Sequence, residues 1–265
     1  MLYNTNEWKL TLPGMELDCI AFGTGARPLV MIQGLNTRGI RGAGVSLAWM
    51  YRIFAKEYRV YLFDRRPVVE EGLTVEDLAG DVAMAMDHLG LAGADVLGVS
   101  QGGMIAQYLA IQRPDLVRKL VLAVTLSRNN DTVISVVNRW IDLANAGQMK
   151  ALVTDMAEKM YSNAYLKRYR PFLPLLTLVQ QPRDVKRFEI LAKACLTCDT
   201  YDRLDQISCP VLVLGGRQDQ VVTGEASAEI AAKIPCDLHM YDQLGHAAYE
   251  EAQDFNQIVF DFFQA

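Results

Sequence analysis

Histidine is scarce in this chain: His88, His239 and His246 are its only three among 265 residues. Any chemistry that needs an imidazole must draw on one of them. Cysteine is nearly as sparse, five residues at positions 19, 195, 198, 209 and 236. An odd, scattered set excludes a secreted disulfide framework and fits reduced thiols. No apolar run approaches the ~20 residues of a membrane span. No basic stretch followed by an apolar run opens the chain, so no signal peptide is expected. These absences predict a cytoplasmic protein with no membrane partner. Basic residues are outnumbered by acidic ones, 26 to 31, for a formal net charge of −5. That removes the basic footprint of general nucleic-acid binding. Repeats and low-complexity tracts are absent as well. What remains is a chain 51% hydrophobic, enough for one large domain or one domain carrying an insertion.

The first half alternates strand-like and helix-like segments. Apolar runs over 28–33, 58–63, 94–99 and 116–124 read as buried strands, and 8–12 with 15–22 as an antiparallel hairpin on the sheet edge. Helices are expected over 46–57, from Thr74 to Gly90, and over 101–113. In the second of these, Thr74 can cap the N–H of Asp77, Leu78, Val82, Ala85 and Leu89 follow at helical spacing, and Gly90 suits the left-handed end. Strand–helix alternation of this kind predicts an α/β fold with a mostly parallel, twisted sheet flanked by helices. The rhythm breaks after Ser127: up to about Asp205 the chain reads as short helices punctuated by Pro171, Pro174 and Pro182. It returns with a strand at 211–215, a helix at 224–234, a strand at 237–241 and a final helix at 247–263. The expected organisation is therefore a core of 1–126 and 206–265, with 127–205 as an inserted helical cap.

Gly98-Val99-Ser100-Gln101-Gly102 follows a strand and precedes a helix. A turn sharp enough to raise the Ser100 hydroxyl above the sheet leaves no room for side chains at the two glycines. It also sets Ser100 at a helix N-terminus, where developing negative charge is favoured. A serine hydroxyl needs a base. His88 lies inside a helix and His239 inside a strand. His246 lies in a loop after the last strand, where site residues of an open parallel sheet gather. Asp219 follows the 211–215 strand, 27 residues before His246. One strand and one helix fit that gap, so both loops open on one sheet edge, and Asp219 can accept the second imidazole N–H. Asp131 is the next acid to consider. Two N–H donors are needed for an anionic intermediate: Gln101 supplies one, and Leu35, after the turn at Gly34, the other.

With these residues in hand, the chain resembles the α/β-hydrolase fold family over nearly its whole length. The resemblance rests on the order Ser100, Asp219, His246, on the helical insertion before the Asp219 strand, and on Gly98-Val99-Ser100-Gln101-Gly102-Gly103-Met104. It is nearest to the branch of 3-oxoadipate enol-lactonases and cofactor-free haloperoxidase-like esterases. Two departures stand out. Members usually carry His-Gly where this chain has Gln33-Gly34, and Asp-x-Arg-Gly-x-Gly where it has Asp64-Arg65-Arg66-Pro67. The backbone donor is independent of the first, so the brace of that loop and one pocket wall are where this chain differs.

The resemblance implies a serine hydrolase acting on a small carboxylic ester, lactone or thioester, with a small-molecule acyl substrate, no cofactor and no metal. A hydrolase of carbon–carbon bonds in diketones, or a receptor on a hydrolase scaffold, would keep the same residues. Oligomeric state is left open. The cap is expected to supply an apolar chamber from Trp140, Tyr161, Tyr165, Phe172 and Leu176, with Asn36 beside the oxyanion loop; Tyr161, Tyr165 and Tyr169 share a helical face. Met104, Ile105 and Tyr108 read as core. Cys195-Leu196-Thr197-Cys198 reads as structural, because no second pair or nearby histidine completes a zinc set.

Overall fold

The computed structural model describes residues 2–169 and 181–265. Eight strands form one sheet in the order β1-β2-β4-β3-β5-β6-β7-β8. They are β1 (Asn6–Leu12), β2 (Met15–Phe22), β3 (Arg27–Ile32), β4 (Tyr58–Phe63), β5 (Ala94–Val99), β6 (Val117–Ala123), β7 (Val211–Gly216) and β8 (Asp237–Tyr241). β1 and β2 form an antiparallel edge hairpin, and β2 runs antiparallel to β4. All other pairings are parallel.

Every residue of β5 and β7 is buried, as continuous apolar runs require when helices cover both faces. Side chains alternate between two cores. Val30, Val96, Leu120 and Val213 join a cluster with α2 (Val75–Leu89) and α3 (Gln101–Gln112). Their neighbours Leu29, Leu97, Val121 and Leu212 join the opposite cluster with Phe255, Val259 and Phe263. Thr74 and Asp77 form a reciprocal capping box, and Gly90 ends α2 at φ 65°, the left-handed conformation glycine takes without steric cost.

Two expected helices are broken. The 46–57 segment divides into α1 (Gly44–Met50) and a 3₁₀ turn at Arg52–Phe54. That tighter turn brings the fully buried Phe54 ring to 6.1 Å from Tyr58 and 5.9 Å from Phe260. The last helix is two pieces, α9 (Ala248–Glu251) and α10 (Phe255–Gln264), because Ala252 turns extended at φ −75°, ψ 120°. The break lets α9 follow the His246 loop while α10 packs its phenylalanines under the sheet.

Between β6 and β7 lie α4 (Asp131–Asn145), α5 (Met149–Met160), α6 (Asn163–Tyr169) and α7 (Val185–Cys195), with a 3₁₀ turn at Tyr201–Gln206. α8 (Gly224–Lys233) joins β7 to β8. No helix of the described residues is long and apolar enough to cross a membrane.

Candidate active site

Ser100 sits between β5 and α3 with φ 55° and ψ −119°, a conformation that a residue with a side chain adopts only under strain. Its surroundings enforce it. The Ser100 N–H donates to the Ala123 carbonyl at 2.9 Å, and its carbonyl accepts from Thr125 Oγ1 at 2.8 Å. A Cβ on Gly98 would lie 2.5 Å from the Gly102 carbonyl oxygen, and one on Gly102 only 1.9 Å from that of Ile32. Strand, turn and helix therefore close upon one another through bare backbone.

The loops after β7 and β8 reach the same edge. Gln218 N–H donates to the Leu244 carbonyl and Arg217 N–H to the Tyr241 carbonyl, each at 3.0 Å. This cross-bonding brings Asp219 to His246. Asp219 Oδ2 lies 2.8 Å from His246 Nδ1, and His246 Nε2 lies 2.9 Å from Ser100 Oγ. Asp219 Oδ1 accepts from the N–H groups of Val221 and Val222 at 2.8 and 3.0 Å. A carboxylate so held accepts from Nδ1–H, which leaves Nε2 free to accept the Ser100 hydroxyl proton. Both Asp219 and His246 are buried. His88 is exposed, His239 packs its ring against Tyr241, and Asp131 is exposed at the first turn of α4.

Gly34 and Leu35 stand against Ser100: a Cβ on Gly34 would lie 3.3 Å from Ser100 Cβ. Gln101 opens α3, where a backbone N–H has no partner within the helix. Both candidate donor segments thus flank the hydroxyl.

A narrow cavity of about 40 Å³ opens on Ser100, His246, Gly34 and Leu35. Its far wall is Val133, Val137 and Trp140 of α4 with Met156 and Met160 of α5. Tyr249, Val221, Val222, Met104 and Cys195 complete it. Of the expected chamber residues, Trp140 lines it. Tyr161 and Tyr165 do not border it: their rings stack at 4.6 Å, and the Tyr161 hydroxyl donates to Glu250. Asn36 borders a different, polar cleft with Arg38, Asp64 and Arg187, because the chain turns away after Leu35. Phe172 and Leu176, like Pro171 and Pro174, lie outside the described residues. Met104, read as core, borders the cavity while being fully buried. The missed wall was visible as spacing: Val133, Val137 and Trp140, and Met156 and Met160, recur at three and four residues.

Cys195 and Cys198 are free thiols. Burial pushes the Cys195 thiol up to about 11, against donation from Gln101 and the charge of Arg65. Among the described residues, no cluster of His, Cys, Asp and Glu could hold a metal ion.

A family model described as alpha/beta hydrolase fold matches residues 27–173. The chain belongs to the α/β-hydrolase fold family. It is 27% identical over 264 residues to 2-hydroxy-6-oxononadienedioate/2-hydroxy-6-oxononatrienedioate hydrolase 2 of Pseudomonas putida, covering 94% of this chain and 92% of that protein. Among solved structures of the family, the enol-lactonase from Burkholderia xenovorans LB400 superposes with a TM-score of 0.85 at 23% identity, over 97% of this chain and all of that one (100%). An esterase from Exiguobacterium antarcticum gives 0.80 at 18%, over 97% and 99%. At these identities the structural likeness is one of fold.

Proposed function

We propose that the protein is a serine hydrolase that cleaves a small carboxylic ester, lactone or thioester through an acyl-enzyme on Ser100. The observation that carries this reading is the unbroken chain from Asp219 through His246 to the Ser100 hydroxyl, with links of 2.8 and 2.9 Å. His246 Nε2 takes the hydroxyl proton as Ser100 attacks the acyl carbon. Asp219 holds the imidazole in the right tautomer and stabilises the imidazolium. The N–H groups of Leu35 and Gln101 receive the negative charge of the tetrahedral intermediate. His246 returns the proton to the leaving group, and water then repeats the sequence to release the acid.

Residues 127–205 act as the cap that completes the acyl pocket. The cavity holds about three water-sized groups, and its wall of valine, methionine and tryptophan suits a short apolar acyl chain. The enol-lactonase and esterase names of its structural neighbours are in keeping with this class. A second reading is favoured by the Pseudomonas putida relative, a hydrolase of a 2-hydroxy-6-oxo dioate: cleavage of a carbon–carbon bond beside a ketone with the same triad. A panel of nitrophenyl esters, lactones, thioesters and such ketones separates the two.

Ser100→Ala should fold normally and lose about 10⁴-fold or more in turnover. A fluorophosphonate probe should label Ser100 alone. A variant retaining more than about a tenth of wild-type activity would remove Ser100 as the nucleophile, and a wild type inert to the whole panel, ketones included, and to the probe would leave a binding protein.

A further inference from the structure

Gln33 occupies the position before Gly34 where the family pattern has histidine, and its side-chain Nε2 is buried without a hydrogen-bond partner. The Gln33 side-chain nitrogen therefore gives its loop no brace. The Gln33 carbonyl accepts a hydrogen bond from the Arg65 guanidinium at 2.5 Å. The same guanidinium donates through Nε to Gln101 Oε1 at 3.2 Å. Gln101 Nε2 in turn donates to the Leu191 carbonyl at 2.7 Å and lies 3.1 Å from Cys195 Sγ, both on α7. Arg65 is itself fixed: its N–H donates to Asp64 Oδ1 at 2.8 Å, and its carbonyl accepts from Arg187 at 3.1 Å.

We propose that Arg65 is the positioning residue of the oxyanion hole, one buried guanidinium that ties the 33–35 loop to Gln101 and, through Gln101, to α7. The inference rests on the serine-hydrolase reading above. The Arg65 bond fixes the Gln33–Gly34 peptide plane, the anchor from which the next peptide, carrying the Leu35 N–H, extends. Gly34 otherwise has the freedom to flip, and a flip would turn the Leu35 N–H from Ser100. Anchoring the Gln101 side chain restrains the other donor at the start of α3. Only a planar fork serves both acceptors; a lysine ammonium is a point donor. Burial lowers the Arg65 pKa to about 10, opposed in part by Asp64, so the guanidinium stays charged at neutral pH. Because the donors meet the oxyanion only in the transition state, the effect belongs in kcat and not in KM.

The test compares wild type, Arg65→Met, Arg65→Lys and Arg65→Ala on a short nitrophenyl ester, with active sites counted by fluorophosphonate titration. Per titrated site, kcat of Arg65→Met should fall about 10²-fold with KM within about threefold, the scale of one lost oxyanion donor. Arg65→Lys should recover only part of this, and added methylguanidinium should raise kcat of Arg65→Ala. If the Met and Ala variants do not fold, the Lys variant carries the test, and its kcat must still fall. A kcat per site within twofold of wild type, or a loss shared equally by KM, overturns the proposal while leaving the nucleophile intact. A wild type that neither labels nor turns over any ester sinks the serine-hydrolase reading, and this proposal with it.

Discussion

The sheet edge and the helices between β6 and β7 build opposite sides of one cavity by different means. On the sheet edge, position comes from backbone. β5 and β7 are wholly buried, and Ser100 is locked by main-chain bonds and glycine contacts. The Asp219 and His246 loops are stitched together through peptide groups. In the inserted helices, the wall consists of side chains, and the helices are held by apolar packing into the core together with polar side chains. Asp155 accepts from Arg139, Trp140 and Lys159 at 2.7, 2.9 and 3.0 Å. Asn130 Nδ2 reaches the Val222 carbonyl at 2.9 Å. A main-chain bond, Ala247 N–H to the Met160 carbonyl at 2.8 Å, joins the insertion to the residue after His246. Reacting groups need fixed geometry to a few tenths of an ångström, which peptide groups supply. A substrate wall needs only shape, which methionine and valine can adjust. Chemistry and specificity should therefore respond separately to substitution.

The sharpest division should come from Asp219→Asn. The amide would still fill the space but would favour the wrong imidazole tautomer. Turnover should fall about 10³- to 10⁴-fold with the thermal midpoint little changed. Near-wild-type kinetics would mean that another acid serves His246, and Asp131→Asn would then be the variant to assay.

Substitutions in the wall should change preference and not capacity. Trp140→Ala and Met156→Ala enlarge the cavity and should shift the preferred acyl length upward, by about tenfold in the ratio of kcat/KM for long and short esters. Tyr161→Phe, outside the cavity, should leave that ratio alone. Equal losses on all esters in the wall variants, or an equal shift in Tyr161→Phe, would erase the distinction between the two regions.

The smallest effect concerns pH. Burial would raise the Asp155 carboxyl, but donors from Arg139, Lys159 and Trp140 outweigh it and hold the group below its ordinary range. A carboxyl depressed in the folded state contributes stability that is fully present above its unfolded pKa of ~3.9 and is lost as pH falls through the lower folded value. Acidification below about pH 4 should therefore alter Trp140 fluorescence before the far-ultraviolet dichroism of the sheet changes. In Asp155→Asn that early step should vanish; if it persists, the carboxylate is not what holds the wall.

Much of the site was legible because its signals are local. Gly98 and Gly102 announce a turn that excludes Cβ atoms, and Thr74 with Asp77 announces a helix start. Chain order and the 27-residue gap bring Asp219 and His246 to one edge once the sheet is parallel. The helix breaks at Tyr51 and Ala252 were not legible, because they answer to the burial of Phe54 and Phe255 in the tertiary core.

The order of elements, the strained elbow and the three residues that meet there are written into the chain, since each follows from short-range sterics and from the alternation of strands and helices. Which side chains surround them is settled by the packing of distant segments. The Tyr161 and Tyr165 face, equally apolar in sequence, packs toward Glu250 and away from the cavity, while the Val133, Val137 and Trp140 face turns inward. Asn36 falls into the neighbouring cleft. Arg65 bridges Gln33 and Gln101, a link no motif records, because these acceptors lie 32 and 36 residues away in the chain. A helix can present any of its faces with the same local energy. Which one it buries is settled by contacts between segments distant in sequence, and those exist only once the sheet has formed.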